Sequence, residues 1–219
     1  MVKHKHSQLA ALLMKELSAL PLNGARVLEV NCERGWFAGQ LQGCSSFLGI
    51  DPSAEMVAEA QAHFPHAKFF ASEFLPWEAP EQSFDLILYV DKIAHTPDQE
   101  AVLEKMGRLV RPGGHLVLTT ENPFVYSRIC WIRPPAAGEF RRWLTNKELH
   151  AMLGRSGWRV ERSYTVLPAG ELGVLKIINA RRLNDPLQRI LPGRWITRVK
   201  EWAGLGQFRV VVAQRSTSV

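Results

Sequence analysis

The amino-acid pattern predicts an α/β domain built on a mostly parallel sheet with helices on both faces. Three observations predict it. Residues Arg26 to Asp51 read as a buried strand, a tight turn, a helix and a second buried strand that ends on a carboxylate, the first half of a nucleoside-binding unit. Apolar runs such as Val27-Leu28-Glu29-Val30 and Phe84-Asp-Leu-Ile-Leu-Tyr-Val90 alternate with helical segments as far as Thr120. Asp51 closes the second strand about 20 residues beyond the turn, the offset at which such folds hold ribose hydroxyls.

In chain order, Ser7 is expected to cap a first helix that runs to Leu20, with Leu9, Leu12, Leu13 and Leu17 near helical spacing, and Pro21-Leu-Asn-Gly24 stops it. After the first strand, Trp36 to Leu41 read as helix, and Gly43 to Ser46 turn into strand two. Pro52 and Ser53 start a helix over Ala54–His63. Ala67–Glu73 is the third strand, Phe74–Ser83 a polar connection, and Phe84–Val90 a central fourth strand, apolar along nearly its whole length. Thr96-Pro97-Asp98 opens a helix whose Val102, Leu103, Met106, Leu109 and Val110 share a face. Arg111-Pro-Gly-Gly114 ends it before strand five, His115–Thr120. Thr145 with Glu148 at the third position is a capping-box pattern for a helix to Gly154. Trp158–Val166 and Phe208–Ala213 read as the last strands.

The chain has 219 residues, enough for one domain with a sizeable core, and 46% hydrophobic with 22% charged residues is an ordinary globular balance. No apolar run approaches the ~18–20 residues of a membrane span, and the Met1–His6 start has no signal-peptide core, so a cytoplasmic location is expected. Cys32, Cys44 and Cys130 form no Cys-x-x-Cys pair and are read as reduced thiols. The formal charge of +6 could attract nucleic acid, anionic lipid or an acidic substrate, but no continuous basic block or nucleic-acid module is present, so nucleic acid is not the expected partner.

Several landmarks occur in order: Val27-Leu-Glu-Val-Asn-Cys-Glu-Arg-Gly35, Gly49-Ile-Asp-Pro-Ser53, Ser72-Glu-Phe-Leu-Pro76, Phe84-Asp85, Asp91-Lys-Ile-Ala-His-Thr-Pro-Asp98, Leu109-Val-Arg-Pro-Gly-Gly-His-Leu-Val-Leu118 and Thr119-Thr-Glu-Asn122. Over roughly residues 25–165 this series resembles the class I S-adenosylmethionine-dependent methyltransferases, in the small-molecule branch that includes ubiquinone and menaquinone biosynthesis enzymes. The resemblance implies a Rossmann-like, mostly parallel seven-stranded sheet with an antiparallel last strand. It implies S-adenosylmethionine as cofactor and S-adenosylhomocysteine as product. The cofactor would be held by Glu29, Asn31, Arg34, Gly35, Asp51, Pro52, Ser72, Glu73 and Tyr89. Of these, the Asn31–Gly35 turn would lie under the methionyl part, Asp51 would hold the ribose, Ser72-Glu73 would border adenine, and Tyr89 to Asp91 would pass beneath the methyl group. Where the family turn reads Gly-x-Gly-x-Gly, this chain has Asn31 and Glu33 at the first two glycines, and it has Ala71 where many relatives carry an adenine-binding acid. A carboxylate at Glu33 would favour the sulfonium and α-amino charges but would repel the cofactor's carboxylate unless Arg34 offsets it.

Methyl transfer needs an in-line acceptor, and a protein base only if the acceptor loses a proton. His95 leads among bases because an unperturbed histidine titrates near working pH, although capping backbone or packing against the cofactor would suit the same position. Asp91, Tyr126 and Glu121 are further candidates at that edge. Asn122-Pro-Phe124 resembles an amino-methyltransferase motif but follows the wrong strand. His4/His6 and His63/His66 lack a third ligand, so no metal site is expected. One domain over 1–219 is expected, with aromatic- and arginine-rich substrate-lid segments at 121–144 and 168–206; a membrane-facing flap that admits a lipid-like acceptor is the alternative for these. The functional expectation is methyl transfer to O or N of a small, planar or anionic metabolite. The alternative is a methyltransferase-fold protein with weakened or lost catalysis that serves as a binding or regulatory subunit. The oligomeric state stays open, a homodimer among the options.

Overall fold

The computed structural model describes residues 2–41, 43–129, 135–168 and 193–217. Its elements are α1 (Val2–Leu17), β1 (Arg26–Val30), α2 (Trp36–Gln40), β2 (Ser46–Asp51), α3 (Ala54–His63), β3 (Lys68–Ala71), β4 (Phe84–Tyr89), a single 3₁₀ turn (Ile93–His95), α4 (Gln99–Leu109), β5 (Val110–Glu121), a π-helical turn (Phe124–Ile129), α5 (Asn146–Arg155), β6 (Trp158–Val166), α6 (Gly193–Trp202) and β7 (Phe208–Arg215). The strands form one seven-stranded sheet in the order β3-β2-β1-β4-β5-β7-β6. Pairings among β1 to β5 are parallel, and β7 runs antiparallel to both neighbours, as the resemblance implied.

Period-2 alternation divides the core between the sheet's two faces. Leu28, Ile87 and Leu116 pack with Leu103, Met106 and Leu149 of α4 and α5. Val27, Leu86, Leu88 and Val117 pack with Leu9, Leu13 and Leu17 of α1 and with Phe37 and Ala60 of α2 and α3. The central strands β1, β4 and β5 are therefore buried on both sides, which explains why their runs read as nearly continuous apolar sequence.

Local boundaries differ most from the sequence expectation in three places. Ser7 does not cap α1, which already begins at Val2, because no glycine or proline interrupts residues 2–17. The helix also ends three residues before Leu20, where Ser18 Oγ donates to the Lys15 carbonyl at 2.8 Å and takes over a terminal acceptor. Arg111-Pro-Gly-Gly114 does not separate α4 from β5: the strand starts at Val110, and the irregularity is absorbed as a register shift opposite β4 between Phe84 and Leu86. The Thr145 capping box is present, with Glu148 N donating to Thr145 Oγ1 at 3.2 Å and Thr145 N to Glu148 Oε2 at 2.8 Å. Cys32 and Cys44 are free thiols, whereas Cys130 and residues 169–192 of the expected second lid lie outside the described residues.

The sheet order reverses between β1 and β4, since β1 continues to β2 on one side and β4 begins the other half. At such a reversal the loops leaving the carboxyl ends diverge and open a crevice. The Asn31–Gly35 turn and the Tyr89–Asp91 strand end face each other across it.

Candidate active site

Three residues of the first turn have left-handed backbone, Asn31 (φ 57°), Glu33 (φ 49°) and Gly35 (φ 68°). The alternating geometry of a three-glycine turn is kept although only the last position is glycine. Asparagine accepts this region easily, whereas glutamate is held there at a cost. Asp51 does the holding. Its Oδ2 accepts from Glu33 N at 2.9 Å and its Oδ1 from Ser53 N at 2.9 Å, so one buried carboxylate staples the turn to β2 and fixes the entry to α3. Each oxygen retains a further lone pair for a ligand hydroxyl.

The charge balance of the turn differs from the expected one. Arg34 does not offset Glu33. Lying between two left-handed residues, it points to α3 and its guanidinium pairs with Glu59. Lys92, from the segment after β4, supplies the offset instead, with Nζ 3.0 Å from Glu33 Oε1.

Two further carboxyls, Glu29 and Asp91, each have a buried oxygen. Glu29, on β1 opposite Leu88 and Gly49, is 5% exposed, and its Oε2 has no hydrogen-bond partner among the described residues. Burial, with Glu33 and Asp51 nearby, pushes its pKa well above the ordinary carboxylate value. Asp91 follows β4 in another left-handed bend (φ 55°), pinned where its N–H donates to Thr119 Oγ1 at 2.9 Å. Its Oδ1 is buried without a hydrogen-bond partner among the described residues. Burial raises its pKa to about 8; Glu121 adds to the rise and Lys92 opposes it. Tyr89 is buried, its hydroxyl bonded to that of Thr96.

Two cavities meet at this crevice. One of about 470 Å³ has a polar floor that includes Glu29, Asn31, Glu33, Asp91, Lys92 and His95, and apolar walls from Leu9, Trp36, Phe37 and Val90. The other, about 440 Å³, is lined by Glu73, Phe74, Leu75 and Tyr89 and shares Asn31, Lys92 and His95 with the first. Of the residues singled out in the sequence, Glu29, Asn31, Arg34, Asp91 and His95 line the first cavity, and Glu73 and Tyr89 the second. Asp51, Pro52, Ser72, Gly35 and Tyr126 line neither. Tyr126 packs between Trp143, whose ring is tilted to it, and Phe208, which it meets edge-on, with ring centroids at 6.0 and 6.3 Å. Trp143 Nε1 bonds to Glu121, whose Oε2 lies 3.7 Å from His95 Nε2, so Tyr126 stands behind the site rather than in it. Sequence reasoning missed Lys92, although it sits inside the segment already marked between Asp91 and His95. It also missed Leu9 and Ala10 of α1, whose spacing showed an apolar stripe but not that one end of that stripe borders a cavity.

A methyltransferase-domain profile matches residues 1–163, well over half of the chain. The chain belongs to the methyltransferase-domain family. It is a class I S-adenosylmethionine-dependent methyltransferase of the small-molecule type. A ubiquinone biosynthesis O-methyltransferase of Pseudomonas fluorescens (strain SBW25) is 28% identical to it over 156 residues, covering 64% of this chain and 67% of that one. The Azorhizobium caulinodans protein of the same name is 25% identical over 159 residues, covering 65% and 62%. An S-adenosylmethionine-dependent methyltransferase from Mesorhizobium loti superposes with a TM-score of 0.64 at 23% identity, over 90% of this chain and 94% of that one. The cyclase SpnF superposes with a TM-score of 0.63 at 17% identity, over 90% and 77%. Likeness at that distance speaks for the fold, which carries more than one chemistry, so the site of this methyltransferase must be argued from its own residues.

Those residues fit the cofactor. S-adenosylmethionine brings an electrophilic methyl on a cationic sulfur together with an α-ammonium and a carboxylate. The carboxyls of Glu29 and Asp91 in one cavity suit its positive groups, and Lys92, lining the same cavity, would suit the negative one.

Proposed function

We propose that this methyltransferase acts on an oxygen or nitrogen of a small planar acceptor bound in the 470 Å³ cavity, with Asp91 as the general base. The observation that carries the reading is Asp91, a residue of the cavity lining whose buried Oδ1 has no hydrogen-bond partner among the described residues and whose carboxyl pKa is pushed up to about 8. A base is most effective when its pKa lies near the working pH. S-adenosylmethionine, when bound, would supply an electrophilic methyl group, and Asp91 would accept the proton that the acceptor atom loses as it is methylated. Leu9, Trp36, Phe37 and Val90 supply flat apolar walls that exclude water and orient a ring, and the carboxyl-rich floor disfavours an anionic acceptor.

For the cofactor, Glu29, Asn31 and Gly35 would border the methionyl end, Asp51 and Pro52 the ribose, Ser72 and Glu73 the adenine, and Tyr89 the floor between them. Arg34, engaged with Glu59, would reach the cofactor only by leaving that pair. One domain spans 1–219 in this reading, with Trp143 held against Glu121 beside His95.

Asp91→Asn tests the base. Turnover is expected to fall by about 10²–10⁴-fold, while the product S-adenosylhomocysteine, titrated calorimetrically, binds within a few-fold of wild type. In the wild type, kcat/KM should rise with slope one below about pH 8 and level off above it. Full turnover by Asp91→Asn would remove the role and leave His95, whose Nε2 lies 3.7 Å from Glu121 and which lines both cavities, as the base to be tested by His95→Ala. Failure of either S-adenosylmethionine or its product to bind at millimolar concentration would instead support the binding-subunit reading. For the ribose role, Asp51→Asn should weaken product binding by about 1–3 kcal/mol; unchanged affinity in a folded variant would refute it.

A further inference from the structure

We propose that α6 is an in-plane docking helix for an anionic lipid bilayer, placed at the same sheet edge as the active site. Trp195, Val199 and Trp202 are 52%, 58% and 89% exposed. At 3.6 residues per turn they fall within an arc of about 60°, so two turns of helix present one continuous aromatic and aliphatic stripe to solvent. Arg198 is exposed beside it. Single exposed hydrophobic residues are normal, but an aligned stripe with tryptophan at both ends matches side chains that settle where an apolar medium meets water. Charge selects the occupant. The helix itself, residues 193–202, contains three Lys and Arg against one Glu, so two copies of it repel each other whereas an anionic headgroup layer attracts both stripe and charge. No helix among the described residues is long and apolar enough to cross a membrane. The contact is therefore one of lying on the surface.

The helix is fixed where such a contact would serve the site. Thr165 Oγ1 donates to the Glu201 carbonyl at 2.7 Å, and Asn122 Nδ2 donates to the carbonyls of Gly204 and Gly206 at 2.8 Å each. Asn122 directly follows Glu121, the carboxyl end of β5, which pairs with Phe208 and lies beside His95. Phe124, 47% exposed, projects from the same edge. Of the two sequence readings of 168–206, lid and membrane-facing flap, the exposed stripe supports the second.

The test uses the full chain with extruded vesicles. It should co-sediment with phosphatidylcholine–phosphatidylglycerol vesicles at low salt, and more weakly with phosphatidylcholine alone or in high salt. Trp195→Ser/Trp202→Ser should lower vesicle affinity at least ~10-fold, while melting temperature and S-adenosylhomocysteine affinity, read on the same samples, stay at wild-type values. Three results would overturn the proposal: no sedimentation of wild type with anionic vesicles at low salt, undiminished binding by the double variant, or a wild-type dimer that the double variant converts to monomer. The product titration is independent of all three, so a failed cofactor assignment is not confused with a failed docking assignment.

Discussion

Glu33 carries two burdens that a glycine at its position would not: left-handed backbone and a carboxylate on the cofactor side of the turn. Non-glycine residues in such geometry cost about 1–3 kcal/mol, and glycine returns roughly 0.5–1 kcal/mol of that through the freedom of its unfolded chain. The half-exposed pair with Lys92 adds little in either direction. Glu33→Gly is therefore expected to be neutral to stabilising by about 2 kcal/mol in denaturant titration, and to bind S-adenosylhomocysteine more tightly, because Lys92 is freed and a charge facing the ligand carboxylate is gone. Weaker binding by the variant would mean that Glu33 itself holds the ligand, through its ammonium group. Lys92→Met should act oppositely, leaving Glu33 unopposed and lowering affinity.

At the scale of elements, the turn depends on how closely β1, β2 and β3 pack behind it. A side chain at Gly49 of β2 would stand 2.6 Å from the Phe69 ring of β3 and 2.8 Å from Cys32 Sγ, and one at Gly35 would stand 2.7 Å from the same ring. Two glycines thus make room for one phenylalanine, which lies beneath both the turn and the strand that carries Asp51. Gly49→Ala should cost about 1–3 kcal/mol by overpacking, and Gly49→Ala with Phe69→Leu should cost less than the sum of the single changes. Strict additivity in melting experiments would show that the ring can move aside. The strands, the Thr145 capping box and the Asp51 strand end were legible in the sequence because each follows from local period or cap chemistry. The partner of Arg34 was not, because it is set by which way two left-handed residues turn the chain. Nor was the role of Leu9: an apolar residue facing the core and one facing a cavity give the same helical period. Asp91 was nameable as a site residue, but its burial and left-handed bend depend on Thr119 and Glu121, some thirty residues away in the chain.

Across the whole molecule, the ionisable groups divide between a structural edge and a functional edge of the sheet. At the amino ends of β1 and β4, Asp85 accepts from Arg26 N at 2.7 Å and pairs with the guanidinium groups of Arg26 and Arg111, which hold its carboxyl well below the usual range. A depressed folded value means that this stability is present above the unfolded pKa of about 3.9 and lost as pH falls through the folded one. At the carboxyl ends, Asp91 and Glu29 have the opposite sign. Their raised values mean that the folded state binds more protons than the unfolded one, so their contribution is fully present below about pH 4. For Asp91 it is lost progressively as pH rises to about 8. The protein should therefore be most stable at mildly acidic pH and lose melting temperature toward pH 8, where Asp91 becomes competent as a base. Asp91→Asn removes that titration while keeping the shape, so its melting temperature should exceed wild type by a margin that grows between pH 5 and pH 9. A margin independent of pH would show that Asp91 is already ionised in the folded protein and does not carry the proton linkage. A growing margin accompanied by lost turnover would place the stability cost and the catalytic proton on the same carboxyl.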